Sequence, residues 1–399
     1  MNRNPFCFDR PALGEDFYDR KGKIEEAVGL IKKPHCFSII GEEGIGKTSF
    51  LKRIISKEVL ETYGIDLEQY ILVYFNIGKL HRVTEEKFVE AIYRKLSEYC
   101  DSEIESKDLF EEFTHLLDRL TSDGKKVVIA LDEFENAKSI LGGDFSHWLR
   151  NAFQKQNVMA ITASHRTVAE LEEPQSKWSP LFNIFINLSL GFFKEEESQK
   201  MITEMFGKRG LSLSTEEISF LKELSGGNPY LIQLLGNYFY KKKKKETEID
   251  FQRFKNEMLY RAKDHFEWCW NSLRDEERRC IEKVRKGDCD FDSQVENKMK
   301  ERGYLVEKDN KLYLFSELFL LFVDEKMKLE KMPSYHKTLY LLKKSLSRRS
   351  QRFFVILATV ISMILLYITF QENEWAATLL LAIIVGLIAA IADFFLHQV

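Results

Sequence analysis

The chain has 399 residues, of which 44% are hydrophobic and 30% charged, and its formal net charge is −3. That length favours two or three domains over one core, and the mixture excludes a disordered chain. The near-balance of charge excludes a global attraction to nucleic acid, so any polyanion contact has to come from a local patch.

In chain order, the first thirty residues carry Asp9, Glu15, Asp16 and Asp19 and no apolar stretch, so no signal peptide is expected. The six cysteines are scattered without CxxC spacing or a histidine in register, and they read as reduced thiols of a cytosolic compartment. Residues 36–40, CFSII, have the apolar density of a buried strand. GEEGIGKTS follows at 41–49, and Gly41, Gly44, Gly46, Lys47 and Thr48 match G-x-x-x-x-G-K-[ST]. In that spacing glycines let backbone amides turn toward phosphates, the lysine reaches the β and γ oxygens, and the hydroxyl ligates magnesium. The loop as a whole, with Glu42, Glu43, Ile45 and Ser49, is therefore read as a cradle for ATP and Mg2+. The amphipathic TSFLKRIISKEVL supplies the helix that this mechanism needs.

Residues 70–77, YILVYFNI, read as a second strand, and the apolar run 127–131 as a third, ending at Asp132 and Glu133. A phosphate loop needs a second group for the metal and a base for water. Asp132 is assigned to the outer coordination of the metal that Thr48 ligates, and Glu133 to polarising the attacking water. An acidic pair after a strand is otherwise an ordinary helix cap, and the phosphate loop decides between the two readings. Adjacent Asp and Glu suggest the subclass of phosphate-loop enzymes with an extra strand between the loop strand and the acidic strand. That subclass expects a polar sensor after another buried strand, and NVMAITASHR fits, with 158–161 as strand and Thr162, Ser164 and Arg166 near the γ-phosphate. Arg166 is the candidate catalytic residue of the three. With a further strand at 182–190, residues 30–190 alternate strand and helix: a doubly wound parallel-sheet α/β domain with its ligand at the C-terminal strand edge.

These motifs resemble the AAA+ and STAND-like ATPases of prokaryotes, close in pattern to the origin-recognition branch. The resemblance spans roughly residues 1–325 and implies an ATPase. It makes the opening segment the adenine-side entry, with Phe17 and Arg20 at the matching positions; Asp19 stands where relatives have glycine. It makes 191–262 a helical lid, in which the Gly-x-Pro turn places Pro229 beside the nucleotide. Bottom-up, Asn228 and Pro229 are a helix start in either case, as cap and first helical residue. Residues 263–325 resemble a winged-helix module: helices at LRDEERRCIEKV and DSQVENKMKERG, then a hairpin turning at Asp309-Asn310. Lys298, Lys300 and Arg302 alternate there with Glu296 and Glu301, and mixed charge argues against a DNA-phosphate footprint. In STAND-like relatives the module packs on the core as part of a nucleotide-controlled switch.

Segment 326–352 holds nine Lys or Arg against the single acid Glu330 and reads as a basic connecting helix. Residues 353–370 and 375–392 are two uncharged runs of eighteen, each long enough to cross the hydrocarbon of a membrane. Lys343, Lys344, Arg348, Arg349 and Arg352 put the N-terminal side in the cytoplasm, so 353–399 is expected to be a transmembrane hairpin in the inner membrane. Asp393 reads as an interfacial carboxylate near the cytosolic face. The expectation is a membrane-anchored ATP-dependent switch of 1–190 core, 191–262 lid, 263–325 winged helix and two spans. It acts as a homo-oligomer on a protein trigger, as in antiviral STAND systems. The alternative is a membrane-tethered, origin-recognition-like ATPase that binds DNA.

Overall fold

The computed structural model describes residues 4–18, 20–100, 108–173, 179–246, 248–288 and 291–330. The chain divides into two compact units, Met1–Val323 and Asp324–Val399. The basic segment beyond 330, the two apolar runs and Asp393 lie outside the described residues. Among those described, no helix is long and apolar enough to cross a membrane.

The first part alternates as expected: α1 (Lys21–Lys32), β1 (Phe37–Ile40), α2 (Lys47–Ile54), α3 (Lys57–Thr62), β2 (Tyr70–Asn76), α4 (Glu85–Leu96), α5 (Leu109–Thr121), β3 (Lys126–Asp132), α6 (Gly143–Phe153), β4 (Val158–Ser164), α7 (Val168–Leu171) and β5 (Ile186–Ser189). All five strands are parallel, in the order β2-β3-β4-β1-β5. β4 therefore lies between the loop strand β1 and the acidic strand β3, which is the insertion that the adjacent Asp and Glu implied. β3 and β4 are covered on both faces, so they read as continuous apolar runs, whereas β5 at one edge is largely exposed.

Three local boundaries differ from the sequence reading. The helix after the phosphate loop breaks at Ser56, whose hydroxyl accepts from the Val59 amide and restarts the chain as α3. β4 runs three residues past Ile161, because its Thr162 hydroxyl donates to Ser38 Oγ of β1 at 2.8 Å and is satisfied inside the sheet. The strand read at 182–190 begins only at Ile186. Before it, the Leu181 and Phe182 amides donate to the buried Glu172 carboxylate at 3.0 and 3.1 Å, and this coils 181–184 into a helical turn.

The chain continues through α8 (Glu195–Gly207), α9 (Thr215–Ser225), α10 (Pro229–Lys243), α11 (Phe251–Arg261), α12 (Lys263–Ser272), α13 (Asp275–Arg285), α14 (Ser293–Glu301), β6 (Leu305–Lys308), β7 (Lys311–Leu314) and α15 (Glu317–Glu330). Asn228 Oδ1 accepts the Leu231 amide at 3.1 Å and Pro229 takes the first turn of α10, the helix start that the residues call for. β6 and β7 form an antiparallel hairpin through Asp309 and Asn310, both left-handed with φ of 50° and 57°, the conformation of a tight two-residue turn.

Candidate functional site

β1 delivers the chain into loop 41–46 at the C-terminal edge of the sheet, and the loop feeds directly into α2. Gly44 and Gly46 hold φ of +75° and +92°, a region open to glycine and strained for other residues. At Gly44 a Cβ would also come within 2.8 Å of Tyr230. Lys47 Nζ donates to the Gly41 and Glu42 carbonyls at 3.0 and 3.1 Å, so the ammonium folds back across the cradle it serves. The Ser49 hydroxyl accepts the Ala12 amide at 3.0 Å and ties the N-terminal segment to α2.

Asp132 is 1% exposed at the end of β3. Its Oδ1 accepts from the Thr48 hydroxyl at 3.1 Å and its Oδ2 from the Tyr74 hydroxyl at 2.7 Å. Burial, then the Asp132 carboxylate, push the Tyr74 phenol well above its usual range, so it stays a donor. The Thr48 hydroxyl and the Asp132 carboxylate are a pair of hard oxygens that fits magnesium; they would hold the ion, and it would supply positive charge beside the phosphates. Among the described residues no cluster of three or more His, Cys, Asp or Glu could hold a metal, and a nucleotide-borne magnesium needs none.

Glu133 takes the left-handed φ of 53°, which turns its side chain toward the end of β2. There Asn76 Nδ2 donates to Glu133 Oε1 at 3.0 Å, and Asn136 Nδ2 reaches Oε2 at 3.4 Å. A Cβ on Gly78 would collide with that carboxylate at 1.9 Å. Tyr74 and Asn76 were missed from sequence. Their signal is positional: both point to one face of β2, and Asn76 pairs in register with Asp132.

Arg166 is not brought to the phosphates. The Ser164 hydroxyl donates to the Arg166 carbonyl, and the guanidinium lies 3.5 Å from the Ser272 carbonyl and 3.9 Å from Glu170. It lines a separate cavity of about 250 Å³. Thr162, buried in its bond to Ser38, is likewise withdrawn. The residue between Ser164 and Arg166 faces the phosphate side instead. His165 Nδ1 lies 2.8 Å from Glu135 Oε1, and both residues line the larger cavity. Burial works against the charge on Glu135, but the bond to His165, a backbone amide and the nearby His165 and Lys47 charges together outweigh it and hold the carboxyl below the usual range.

That larger cavity, about 770 Å³, runs from the phosphate loop to α10 and α12. Phe17, Arg20 and Pro229 all line it. Arg20 braces two backbones at its edge, donating to the Ile45 carbonyl at 2.9 Å and the Gly191 carbonyl at 3.2 Å, with its guanidinium over the Phe193 ring. α12 closes the loop side. His265 of this helix stacks on Tyr230 with centroids 4.3 Å apart, and burial pushes its imidazole down to about 4.

Glu42, read as part of the cradle, turns its side chain the other way, and the residue is 5% exposed. Oε1 accepts from Arg302 Nε at 2.5 Å and Oε2 from the Tyr304 hydroxyl at 2.9 Å. Arg302 also reaches Glu277 at 2.8 Å, while Arg274 and Lys298 hold Glu170 of α7 at 3.0 and 3.5 Å. Burial, then the nearby Glu42 charge, keep the Tyr304 phenol protonated. The backbone of Glu42 still serves the loop through its carbonyl.

A family model described as an ATPase domain predominantly from Archaea matches residues 17–235. No curated protein matches the sequence. A Walker-type ATPase of Pyrococcus abyssi superposes with a TM-score of 0.56 at 16% identity, over 79% of this chain and 99% of that one. The Aeropyrum pernix ORC2 protein gives 0.45 at 12% identity over 80% and 98%. The Thermotoga maritima RuvB Holliday junction branch migration motor gives 0.43 at 14% identity over 82% and 100%. Of these three, the first bears on the fold, and it carries the same α/β architecture.

Proposed function

The chain belongs to the family of ATPase domains found predominantly in Archaea, and from that premise we propose that it is a STAND-like, membrane-anchored switch in which a winged-helix module reads the nucleotide state of the phosphate loop. The observation that carries this reading is the grip of Arg302 and Tyr304 on Glu42, a carboxylate of the loop itself.

In this reading Lys47 holds the β and γ oxygens and the loop amides cradle the rest. Thr48 and Asp132 hold magnesium, which screens phosphate charge when it is bound. Glu133, released from Asn76, takes the proton of the attacking water as the γ-phosphoryl group departs from ADP. The Glu135–His165 pair fixes one imidazole nitrogen and leaves the ring to orient groups at the γ end. Residues 263–325 are the winged helix, docked through Arg302, Tyr304, Arg274 and Lys298. A trigger that displaces the module lets ADP leave and ATP enter, and the chains then assemble.

The apolar runs 353–370 and 375–392 support anchoring in the inner membrane with the ATPase in the cytoplasm, and clustering of these hairpins is the output, as in antiviral systems. The DNA-binding alternative has less support, because Lys298 pairs with Glu170 and Glu277, Lys300 with Glu296 and Glu307, and Arg302 with Glu42 and Glu277.

Hydrogen exchange on the full chain tests the switch. Amides of 293–314 should gain protection when ADP is added to nucleotide-free protein, and Arg302→Met should erase the gain. Equal exchange with and without ADP would sink the reading. Alkaline extraction of membranes tests the anchor: the full chain should stay with the lipid and a chain ending at Arg352 should not.

A further inference from the structure

We propose that Gln233 reads the base of the bound nucleotide, donating from its amide NH2 to the N1 acceptor of adenine and so selecting ATP over GTP. This rests on the reading of the larger cavity as the nucleotide site.

Positions 229, 233 and 237 share one face of α10. Against that face lies the N-terminal segment. Asn237 Nδ2 donates to the Phe6 carbonyl at 2.9 Å, and the Asn237 carbonyl accepts from Asn4 Nδ2 at 3.0 Å. The Phe6 ring fills the gap left by Gly236, where a Cβ would come within 2.4 Å of it. Between these clamps and Pro229, Gln233 Oε1 accepts the Cys7 amide at 2.8 Å.

That bond settles the orientation of the carboxamide. A backbone N–H can only donate, so the atom facing Cys7 must be the oxygen, and the NH2 is fixed on the opposite side. Gln233 is 7% exposed and lines the cavity. Among the described residues, no protein acceptor is bonded to its NH2.

The phosphates are placed by Lys47 and Thr48 at one end, so the base falls at the other, between the N-terminal segment and the lid. The wall there is formed by Phe193, Met201 and Pro229. Rings pack on such a wall without discriminating between bases, and a polar group fixed within it supplies selectivity. Adenine N1 is an acceptor and matches the NH2. Guanine presents N1–H at that position, so donor faces donor.

The experiment measures nucleotide affinity of the full chain for ATP, GTP and 1-deaza-ATP, which lacks the N1 acceptor. Wild type should prefer ATP to both by about tenfold, the worth of one well-made hydrogen bond in a closed site. Gln233→Glu keeps an acceptor for Cys7 and turns the cavity side from donor to acceptor, so the ATP-to-GTP ratio should fall to unity or invert. Gln233→Leu should bind ATP and 1-deaza-ATP equally. Thermal unfolding of both variants checks that they fold. A wild-type affinity for 1-deaza-ATP equal to that for ATP, or an unchanged ratio in Gln233→Glu, overturns the proposal while Lys47→Ala still abolishes binding of all three. If Lys47→Ala binds normally, the nucleotide site itself has been misplaced and both readings fall.

Discussion

Arg302→Met tests how firmly the C-terminal module holds the phosphate loop. The substitution keeps an unbranched apolar stem and removes the charge that serves two buried carboxylates, Glu42 and Glu277. Removing one partner of a buried pair costs about 3–5 kcal/mol, because it strands the other charge. Here each carboxylate keeps some support: Glu42 retains the Tyr304 hydroxyl at 2.9 Å, and Glu277 retains the Arg274 amide at 2.8 Å with Lys298 at 3.5 Å. The lower figure, about 3 kcal/mol, is therefore the expectation. The chain can avoid that cost by undocking the module, and about 3 kcal/mol raises the undocked fraction roughly a hundredfold. α12, which carries His265 over the loop, belongs to the same stretch of chain and would be loosened with it. Bound ADP should then escape faster by up to that factor. The assay is a stopped-flow chase of a fluorescent ADP from the full chain, with Glu42→Gln and the double variant completing a cycle. Release rates within twofold of wild type, together with a coupling near zero between positions 42 and 302, would refute the reasoning.

Four further outcomes follow from the site. Lys47→Ala should abolish nucleotide binding, whereas Glu133→Gln should keep it and slow turnover at least about a hundredfold, the usual worth of a positioned base; undiminished hydrolysis removes Glu133 from that role. Tyr74→Phe takes the 2.7 Å bond from Asp132 and should raise the Mg2+ needed for half-maximal turnover about tenfold, read from a magnesium titration with ATP saturating. His265 has a folded pKa of about 4, below its unfolded value, so the unfolded chain binds the extra proton first and stability is lost as pH falls from the unfolded value toward 4. Between pH 6.5 and 5 the nucleotide-free chain should lose about 1–2 kcal/mol more than His265→Gln, measured by denaturant midpoints, and parallel pH profiles would count against the assignment.

What the sequence made legible depended on distance along the chain. The phosphate loop is local chemistry: Gly44 and Gly46 need left-handed backbone, Lys47 opens the helix, and all of it sits within ten residues. The strand inserted between β1 and β3 followed from one adjacent pair, Asp132-Glu133. The turn at Asp309-Asn310 was equally local. The misplacements came from partners far apart in sequence. Thr162 read as a polar sensor beyond the strand because its buried partner, Ser38, lies on another strand. Arg166 shared that error, since a polar residue after a strand is what every loop start looks like. Glu42 lay inside a local motif, and its partners at 302 and 304 could not be found by spacing. Tyr74 and Asn76 needed a strand register that only pairing reveals.

The buried carboxylate in an anion site also sets the direction of the coupling. A phosphate cradle works by offering amides and a lysine to negative charge, and Glu42 opposes it. While Arg302 and Tyr304 hold that carboxylate, its charge is cancelled beside the loop and the cradle is hospitable to phosphates. With the module displaced, the carboxylate would keep its charge beside the loop with no cation to cancel it, and affinity should fall. Linkage makes this reciprocal: whatever factor docking adds to nucleotide affinity, nucleotide adds to docking. Nucleotide alone then tightens the closed form and cannot open it. Opening needs something that binds the undocked form better, which is the thermodynamic reason to look for a trigger or a neighbouring copy of the chain. The check is a titration of ADP affinity in Glu42→Gln. Removing the charge should make affinity nearly independent of Arg302, so Arg302→Met should weaken ADP binding in the wild-type background and leave it unchanged in the Glu42→Gln background. Equal weakening in both backgrounds would show that Arg302 acts on the nucleotide by another route.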